Sequence, residues 1–110
     1  MTDAFDATTA ELRFAELPAD KCPAGPLATG VTMLASTDAL EVGVWEHPVG
    51  TSTDIETDEI FVVLSGSGRV ILDGGRVLEL RPGTVGILAS GTATTWVVDE
   101  PLRKVWVVER

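Results

Sequence analysis

Residues 57–68 read TDEIFVVLSGSG, an apolar run that follows two acids and ends in Gly-Ser-Gly. The β-branched and aromatic residues of this run are typical of a strand. Because side chains two positions apart share one face of a strand, Glu59 should share a face with Phe61 and Val63. If that face points inward, the carboxylate enters the protein interior, where an unpaired charge is costly. The stretch therefore predicts a buried strand that begins with an acid in need of a partner.

Short apolar runs with turn residues between them continue on both sides of this stretch. The runs are GVTMLAS, LEVGVWEH, GRVILD, RVLEL, TVGILASG, TTWVVDEP and LRKVWVVER. DGGR, residues 73–76, predicts a tight hairpin because glycine accepts positive φ, and Pro82-Gly83 predicts another turn. Many short strands separated in this way indicate an all-β sandwich or barrel.

The composition of the 110-residue chain is that of one globular domain, with 45% hydrophobic and 23% charged residues. A formal net charge of -9 argues against nucleic acids and anionic membrane surfaces, both of which attract clustered Lys and Arg. The amino terminus has acids where a signal peptide has basic residues, and no apolar run approaches the roughly 20 residues of a membrane helix. Cys22 is the only cysteine, so no intrachain disulfide can form, and nothing near it predicts a reactive thiol. We expect a cytoplasmic protein with no nucleic-acid or membrane partner.

Several short motifs occur in a recognisable order between residues 40 and 109. They are Gly43-Val44-Trp45-Glu46, Asp58-Glu59 with six residues before Gly66, Pro82-Gly83, Gly91 followed by Trp96, and Arg103-Lys104 before the last strand. With these motifs the chain resembles the cupin superfamily, and it looks most like the small single-domain cupins grouped with ureidoglycine aminohydrolase and the ethanolamine-utilisation cupins. The resemblance implies a single-domain cupin, a double-stranded β-helix that forms a jelly-roll-like barrel.

The resemblance also suggests how the chain is organised. We assign residues 31–110 to the cupin barrel and residues 1–30 to an N-terminal segment. Within that segment, residues 8–17 could form a short helical turn, or an edge strand if the subunit pairs with a partner, and the Pro- and Gly-rich stretch after them is a loop. Small cupins of this type usually form homodimers. We expect a homodimer in which residues 10–17 cross to the partner, because such a crossing covers an edge strand.

Metal-binding cupins carry two His and one Glu in a first motif and a third His in a second. Glu59 matches the Glu. The His positions fall on Thr53 and Ile55, or on Ser52 and Asp54 with a spacer one residue longer, and the last falls on Thr94. His47 is the only histidine of the chain, whereas zinc, nickel and iron favour several imidazoles. We therefore expect no bound metal and no cofactor.

The resemblance implies a ligand pocket inside the barrel. The candidate ligand-binding residues are Trp96, Thr94, Trp45, Lys104 and Thr53. Trp96 matches a family tryptophan near the pocket mouth, although a large ring can also be simple packing. Lys104 could share a face with Trp106 and neutralise Glu59. Alternatively, Lys104 and Arg103 are a solvated pair of cations.

Glu59 and His47 are the candidate catalytic residues. Glu59 could be an acid or base in the pocket, or a structural acid paired with a cation. His47 could be a general base, or an exposed or lightly hydrogen-bonded histidine at a strand end, since Pro48 follows it. Four alternating acids are typical of a solvated strand face, and an oxygen-only Ca²⁺ or Mg²⁺ site is the alternative. They are Asp54, Glu56, Asp58 and Glu59.

These observations leave three hypotheses for the function. The first is a cupin that binds a small molecule without a metal. The second is a ureidoglycine-aminohydrolase-like or isomerase-type enzyme with Glu59 as acid or base. The third is a structural or regulatory module with a filled barrel. No Ser-His-Asp order, P-loop, G-x-G-x-x-G or C-x-x-C motif occurs, so nucleophilic hydrolysis, nucleotide binding and thiol redox chemistry have no support in the sequence.

Overall fold

Antiparallel strands make up most of the computed structural model, which describes residues 2–110. They are β1 (Arg13–Glu16), β2 (Ala28–Ser36), β3 (Leu40–His47), β4 (Gly50–Ile55), β5 (Glu59–Leu72), β6 (Val77–Leu80), β7 (Val85–Leu88) and β8 (Ala93–Glu109). A single 3-10 turn, Ala19–Lys21, precedes β2. Within residues 2–110, no helix has the length and apolar character that a membrane crossing requires. The predicted all-β fold is confirmed.

The two longest strands, β5 and β8, hold the architecture together. They pair with each other from Ile60 opposite Val107 to Leu72 opposite Thr94. The amino-terminal half of β5 also pairs with β7 and its carboxyl-terminal half with β6. Similarly, β8 pairs with β4 near its start and with β3 near its end. Each of the two strands therefore belongs to both halves of a β-sandwich.

Residues from both halves form one apolar core. Phe61 and Val63 of β5 are buried, as their alternation with Glu59 predicts. They pack in one cluster with residues of the opposite half, among them Val70 and Trp96. The inward face of β5 therefore brings the side chain of Glu59 toward the core, where 15% of it stays exposed.

The structure corrects the predicted strand boundaries in two places. We expected separate strands at residues 58–66 and 68–73, and again at 94–101 and 102–110, but each pair is one continuous strand. The pairing register of β5 with β8 shifts between Val63 and Gly68. Because of these shifts, β5 stays paired with β8 through the Gly-Ser-Gly stretch. In addition, β4 was not predicted, because its sequence GTSTDI has a single apolar side chain.

The N-terminal segment extends the sheet. Within residues 8–17, Arg13–Glu16 form the edge strand β1, which pairs with β2 of the same chain, whereas the predicted edge strand was one that pairs with a partner subunit. Arg103 holds the preceding residues, since its Nη1 donates hydrogen bonds to the carbonyl oxygens of Ala7, Thr8 and Ala10 at 3.1–3.2 Å. Met1 lies outside the described residues, and the crossing of residues 10–17 to a partner stays a prediction.

Gly66 and Gly74 offer a test of how β5 and β8 approach each other. Both have positive φ, +87° and +88°, but a Cβ at Gly66 would meet the carbonyl of Pro101, whereas a Cβ at Gly74 would meet nothing. Gly74→Ala should lower the free energy of unfolding by about 1–3 kcal/mol through backbone strain alone. Gly66→Ala should cost about 1–3 kcal/mol more, because the backbone of β8 blocks the added methyl group. Urea denaturation measures both values, and equal losses would contradict the close approach at Gly66.

Candidate functional site

A cavity of about 350 Å³ opens at the inner face of the sandwich, beside β3, β4 and β8. Five of the seven predicted site residues line it. They are Trp45, Thr53, Glu59, Trp96 and Lys104. The other two, Thr94 and His47, are buried and do not line this cavity, and Thr94 borders a second cavity beside β4 and β8. An open cavity with carboxylates in its wall can admit a small molecule.

The ammonium group of Lys104 lies at the inner end of the cavity. Its Nζ is 2.6 Å from Glu59 Oε2, and 5% of the lysine side chain is exposed. Nζ also lies 4.6–4.7 Å from the ring centroids of Trp45, Phe61 and Trp96. A carboxylate and three aromatic faces together stabilise a cation that burial alone would disfavour. The predicted ion pair between Glu59 and Lys104 is confirmed.

Arg103 and Lys104 do not form a solvated pair of cations. In an extended strand, neighbouring side chains point to opposite faces. Lys104 therefore enters the cavity, whereas Arg103 binds the N-terminal segment and donates from Nε to Glu46 Oε1 at 3.1 Å. The alternative of a solvated cationic spot is wrong, because each cation has its own buried or half-buried partners.

The residues at the family's metal positions do not fit a transition metal. Glu59 is bound to an ammonium group, and Thr53 and Thr94 provide hydroxyl groups where imidazoles would be needed. Across residues 2–110, no three His, Cys, Asp or Glu side chains come together in a way that could hold a metal ion. We therefore derive no chemistry that depends on a metal at this site.

Glu56 is a site residue that sequence reasoning missed. Its Oε2 accepts hydrogen bonds from Trp96 Nε1 at 3.0 Å and from Thr94 Oγ1 at 2.6 Å. Glu56 lines the cavity, whereas Thr94 does not and holds the carboxylate through its hydrogen bond. The missing signal was β4, because Glu56 directly follows this strand and its backbone N–H donates to the carbonyl oxygen of Thr92 just before β8.

The four alternating acids form neither one solvated face nor one cation site. Besides Glu56 and Glu59, Asp54 pairs with Lys21 at 2.9 Å, with both side chains about two-fifths exposed. Asp58 is exposed and accepts a hydrogen bond from the backbone N–H of Ser90 at 2.8 Å. Each acid thus has a separate partner, and both predicted alternatives for the set are wrong.

His47 is fully buried, so the exposed position at a strand end, one of the alternatives that the sequence left open, is wrong. It is the last residue of β3, but it lies opposite the equally buried Leu102 of β8, and this register carries the ring into the core. Its Nδ1 lies 2.6 Å from the carbonyl oxygen of Pro48, and its Nε2 lies 2.8 Å from Ser52 Oγ. Burial lowers the pKa of His47 below its usual 6.5, and the charge of Lys104 lowers it further against the opposing effect of the Pro48 carbonyl. The neutral ring is therefore the stable form near pH 7.

Comparisons with known proteins agree with this fold. The sequence model of the family described as "EutQ-like cupin domain" matches residues 34–106. No curated protein matches the chain.

Three solved structures illustrate the structural similarity. The EutQ protein of Clostridium difficile is similar with a TM-score of 0.74 and 19% identity, over 96% of this chain and 85% of that one. The polyketide cyclase RemF of Streptomyces resistomycificus is similar with a TM-score of 0.69 and 21% identity, over 99% of this chain and 80% of that one. The cupin domain of Cnp3 from Schizosaccharomyces pombe is similar with a TM-score of 0.68 and 14% identity, over 94% of this chain and 71% of that one. At these identities the similarity establishes the fold, and the predicted cupin architecture is confirmed.

The ion pair in the cavity can be tested by a double-mutant cycle. Lys104→Met leaves the Glu59 carboxylate buried without its cation, so we expect a loss of about 3–5 kcal/mol in the free energy of unfolding. Adding Glu59→Gln should recover part of that loss, because the uncompensated charge is removed. Lys21→Met is the matched control, since its pair with Asp54 is exposed and should be worth about 0–1 kcal/mol. Single and double variants that all unfold within about 0.5 kcal/mol of the unmodified protein would contradict a buried pair.

Proposed function

Because the chain belongs to the EutQ-like cupin family, whose model matches residues 34–106, we propose that it binds a small molecule in the cavity without a metal. The observation that carries this proposal is the ion pair of Lys104 with Glu59. The lysine supplies within the protein the positive charge that a metal ion would bring to the Glu59 carboxylate. The cavity in front of the pair stays open, which favours a ligand over a filled barrel.

Glu56 supports a proposal about the chemistry of the ligand. Of the three cavity carboxylates, Asp54 and Glu59 are each paired with a lysine. Within residues 2–110, the hydrogen bonds to Glu56 reach Oε2, and no cation lies in salt-bridge contact with this carboxylate. Indole rings also line the cavity. A carboxylate oxygen beside aromatic faces favours a ligand with an ammonium group or another strong hydrogen-bond donor.

The enzymatic alternative is a hypothesis in which Glu59 acts as an acid or base in a ureidoglycine-aminohydrolase-like or isomerase-type reaction. The solved structure of RemF, a polyketide cyclase, has a similar fold at 21% identity. In this chain, however, Glu59 Oε2 is already engaged by Lys104 at 2.6 Å. That contact suits Glu59 better to holding the lysine in place than to moving a proton.

We further propose that the protein acts in the cytoplasm without a nucleic-acid or membrane partner. The net charge of -9 opposes binding to phosphate groups. Cys22 is a free cysteine, which suits a reducing compartment.

A homodimer is also proposed, and the outer face of β5 and β7 is its candidate interface. Ile60 lies opposite Ile87 across these two strands, and both side chains point away from the buried face that holds Phe61. Ile87 is 73% exposed and Val85 is 63% exposed, so large apolar side chains cover this surface. The same face on a second copy is apolar too, and a two-fold contact would cover both.

Ligand chemistry can be tested with benzylammonium as the probe and with benzyl alcohol and benzoate as neutral and anionic analogues. The indole N–H signal of Trp96 in NMR spectra is a direct reporter, because this group donates to Glu56. Benzylammonium should shift the signal at lower concentration than either analogue, and Glu56→Gln should weaken its binding by about tenfold or more, a loss of about 1.4 kcal/mol. Asp58→Asn is the control, because Asp58 is exposed and outside the cavity wall.

The same sample tests the absence of a metal. Binding should persist after dialysis against EDTA, and elemental analysis should show no stoichiometric transition metal. Equal binding of all three probes would contradict the proposed ligand chemistry. A retained metal would contradict the metal-free site.

Light scattering at micromolar concentration tests the dimer. The unmodified protein should have the mass of two chains, and Ile87→Glu should give the mass of one, because a charge in an apolar contact is costly. Val49→Glu is the matched control, since Val49 is 58% exposed on the loop before β4. A single-chain mass for the unmodified protein would reject the dimer, and an unchanged dimer mass for Ile87→Glu would reject this interface.

A further inference from the structure

Ser52 and His47 form a hydrogen-bonded pair at the wall of the cavity. His47 ends β3 and Ser52 lies in β4, so the short connection between these strands brings the two side chains together. Ser52 Oγ lies 2.8 Å from His47 Nε2, and His47 Nδ1 lies 2.6 Å from the carbonyl oxygen of Pro48. Both residues are almost completely buried, and each polar atom of the pair has a partner.

The carbonyl of Pro48 determines which nitrogen of His47 carries the proton. A carbonyl oxygen accepts but cannot donate, so Nδ1 holds the hydrogen. Nε2 then has a free lone pair, and the Ser52 hydroxyl donates to it. A serine next to a base that a third group orients is the arrangement of an activated nucleophile. Here a backbone carbonyl takes the place that an acidic side chain has in serine hydrolases.

The position of the pair relative to the cavity agrees with a serine nucleophile and a histidine base. Ser52 lines the cavity, whereas His47 lies behind it. A molecule in the cavity would therefore meet the serine first. Lys104 lies in the same cavity wall, and its charge acts at His47, where it lowers the pKa of the ring.

We propose that Ser52 is a nucleophile and His47 its general base, and that the cavity supports acyl transfer from small activated esters to water. Ser52 Oγ forms a bond to the carbonyl carbon of the ester while its proton moves to His47 Nε2. The bond between this carbon and the leaving alcohol breaks, and the alcohol takes the proton from Nε2. Water then adds to the acyl-serine ester, His47 takes its proton and returns it to Ser52 Oγ, and a carboxylic acid leaves.

This activity is independent of the proposed amine binding. It depends on Ser52 and His47, whereas amine binding depends on Glu56. The absence of a Ser-His-Asp order in the sequence does not contradict it, because the group that orients His47 is a backbone carbonyl and leaves no signature in the sequence.

The test uses the full chain and p-nitrophenyl acetate as the probe. The protein should release p-nitrophenolate in a burst and gain the mass of one acetyl group, and peptide mapping should place this group on Ser52. Ser52→Ala should abolish both the burst and this adduct. Ser65→Ala is the matched control, because Ser65 is exposed on β5 and should leave both unchanged. An unmodified protein without an acetyl group on Ser52, or a burst that persists in Ser52→Ala, would overturn the proposal.

A second pair of variants separates a base from a purely structural histidine. His47→Gln keeps an amide that can bond to Pro48 and Ser52 but cannot take up a proton, so acylation should slow by about 10²–10⁴-fold. A rate within twofold of the unmodified protein would overturn the role of His47. Ser52→Cys should still be acetylated at residue 52, and where His47→Gln fails to fold this variant tests whether the ester reaches that position. A folded Ser52→Cys protein without an acetyl group there would overturn the proposal.

Discussion

The ammonium of Lys104 is the feature on which the site depends. It is nearly buried, and it is stabilised by one carboxylate, Glu59, and by three aromatic rings from three different strands. A buried charge is tolerated only where its surroundings replace the lost water. The contacts of the ammonium group therefore depend on the relative positions of Trp45, Phe61 and Trp96. The cation thus links the packing of β3, β5 and β8 to the shape of the cavity.

This arrangement gives the cavity carboxylates different roles. Glu59 is used to neutralise Lys104, and Asp54 is used to hold Lys21 near the rim. Glu56 accepts its hydrogen bonds from an indole and a hydroxyl group, which are neutral donors. Ser52 also lines this surface, and its pair with the buried His47 leaves no buried polar atom of the two side chains without a hydrogen-bond partner. The cavity wall therefore brings together the ion pair of Lys104 with Glu59, the carboxylate of Glu56, the hydroxyl group of Ser52 and three indole rings.

The sequence predicted the features that depend on the two-residue period of a strand and on the small number of basic residues. The alternation of Glu59 with Phe61 and Val63 placed the carboxylate inside, and the few basic residues of the chain pointed to Lys104 as its partner. The strand β4 escaped prediction because paired backbone groups, and not apolar side chains, keep it in the sheet. The errors at Glu56 and His47 follow from that omission, since one residue adjoins β4 and the other contacts Ser52 within it. We predicted that a strand ends at Gly66, but β5 continues through this residue. The absence of a side chain at Gly66 allows β5 to pass close to Pro101.

The continuity of β5 and β8 has a consequence for how the chain folds. Because both strands run through both halves of the sandwich, neither half has a complete set of strands without the other. A state with one half formed would leave long strand edges without hydrogen bonds, which is unfavourable in water and prone to association. The domain should thus fold and unfold as one cooperative unit. The pairing of segments so distant along the chain also puts folding among the slow, topology-limited cases rather than among the fast helical ones.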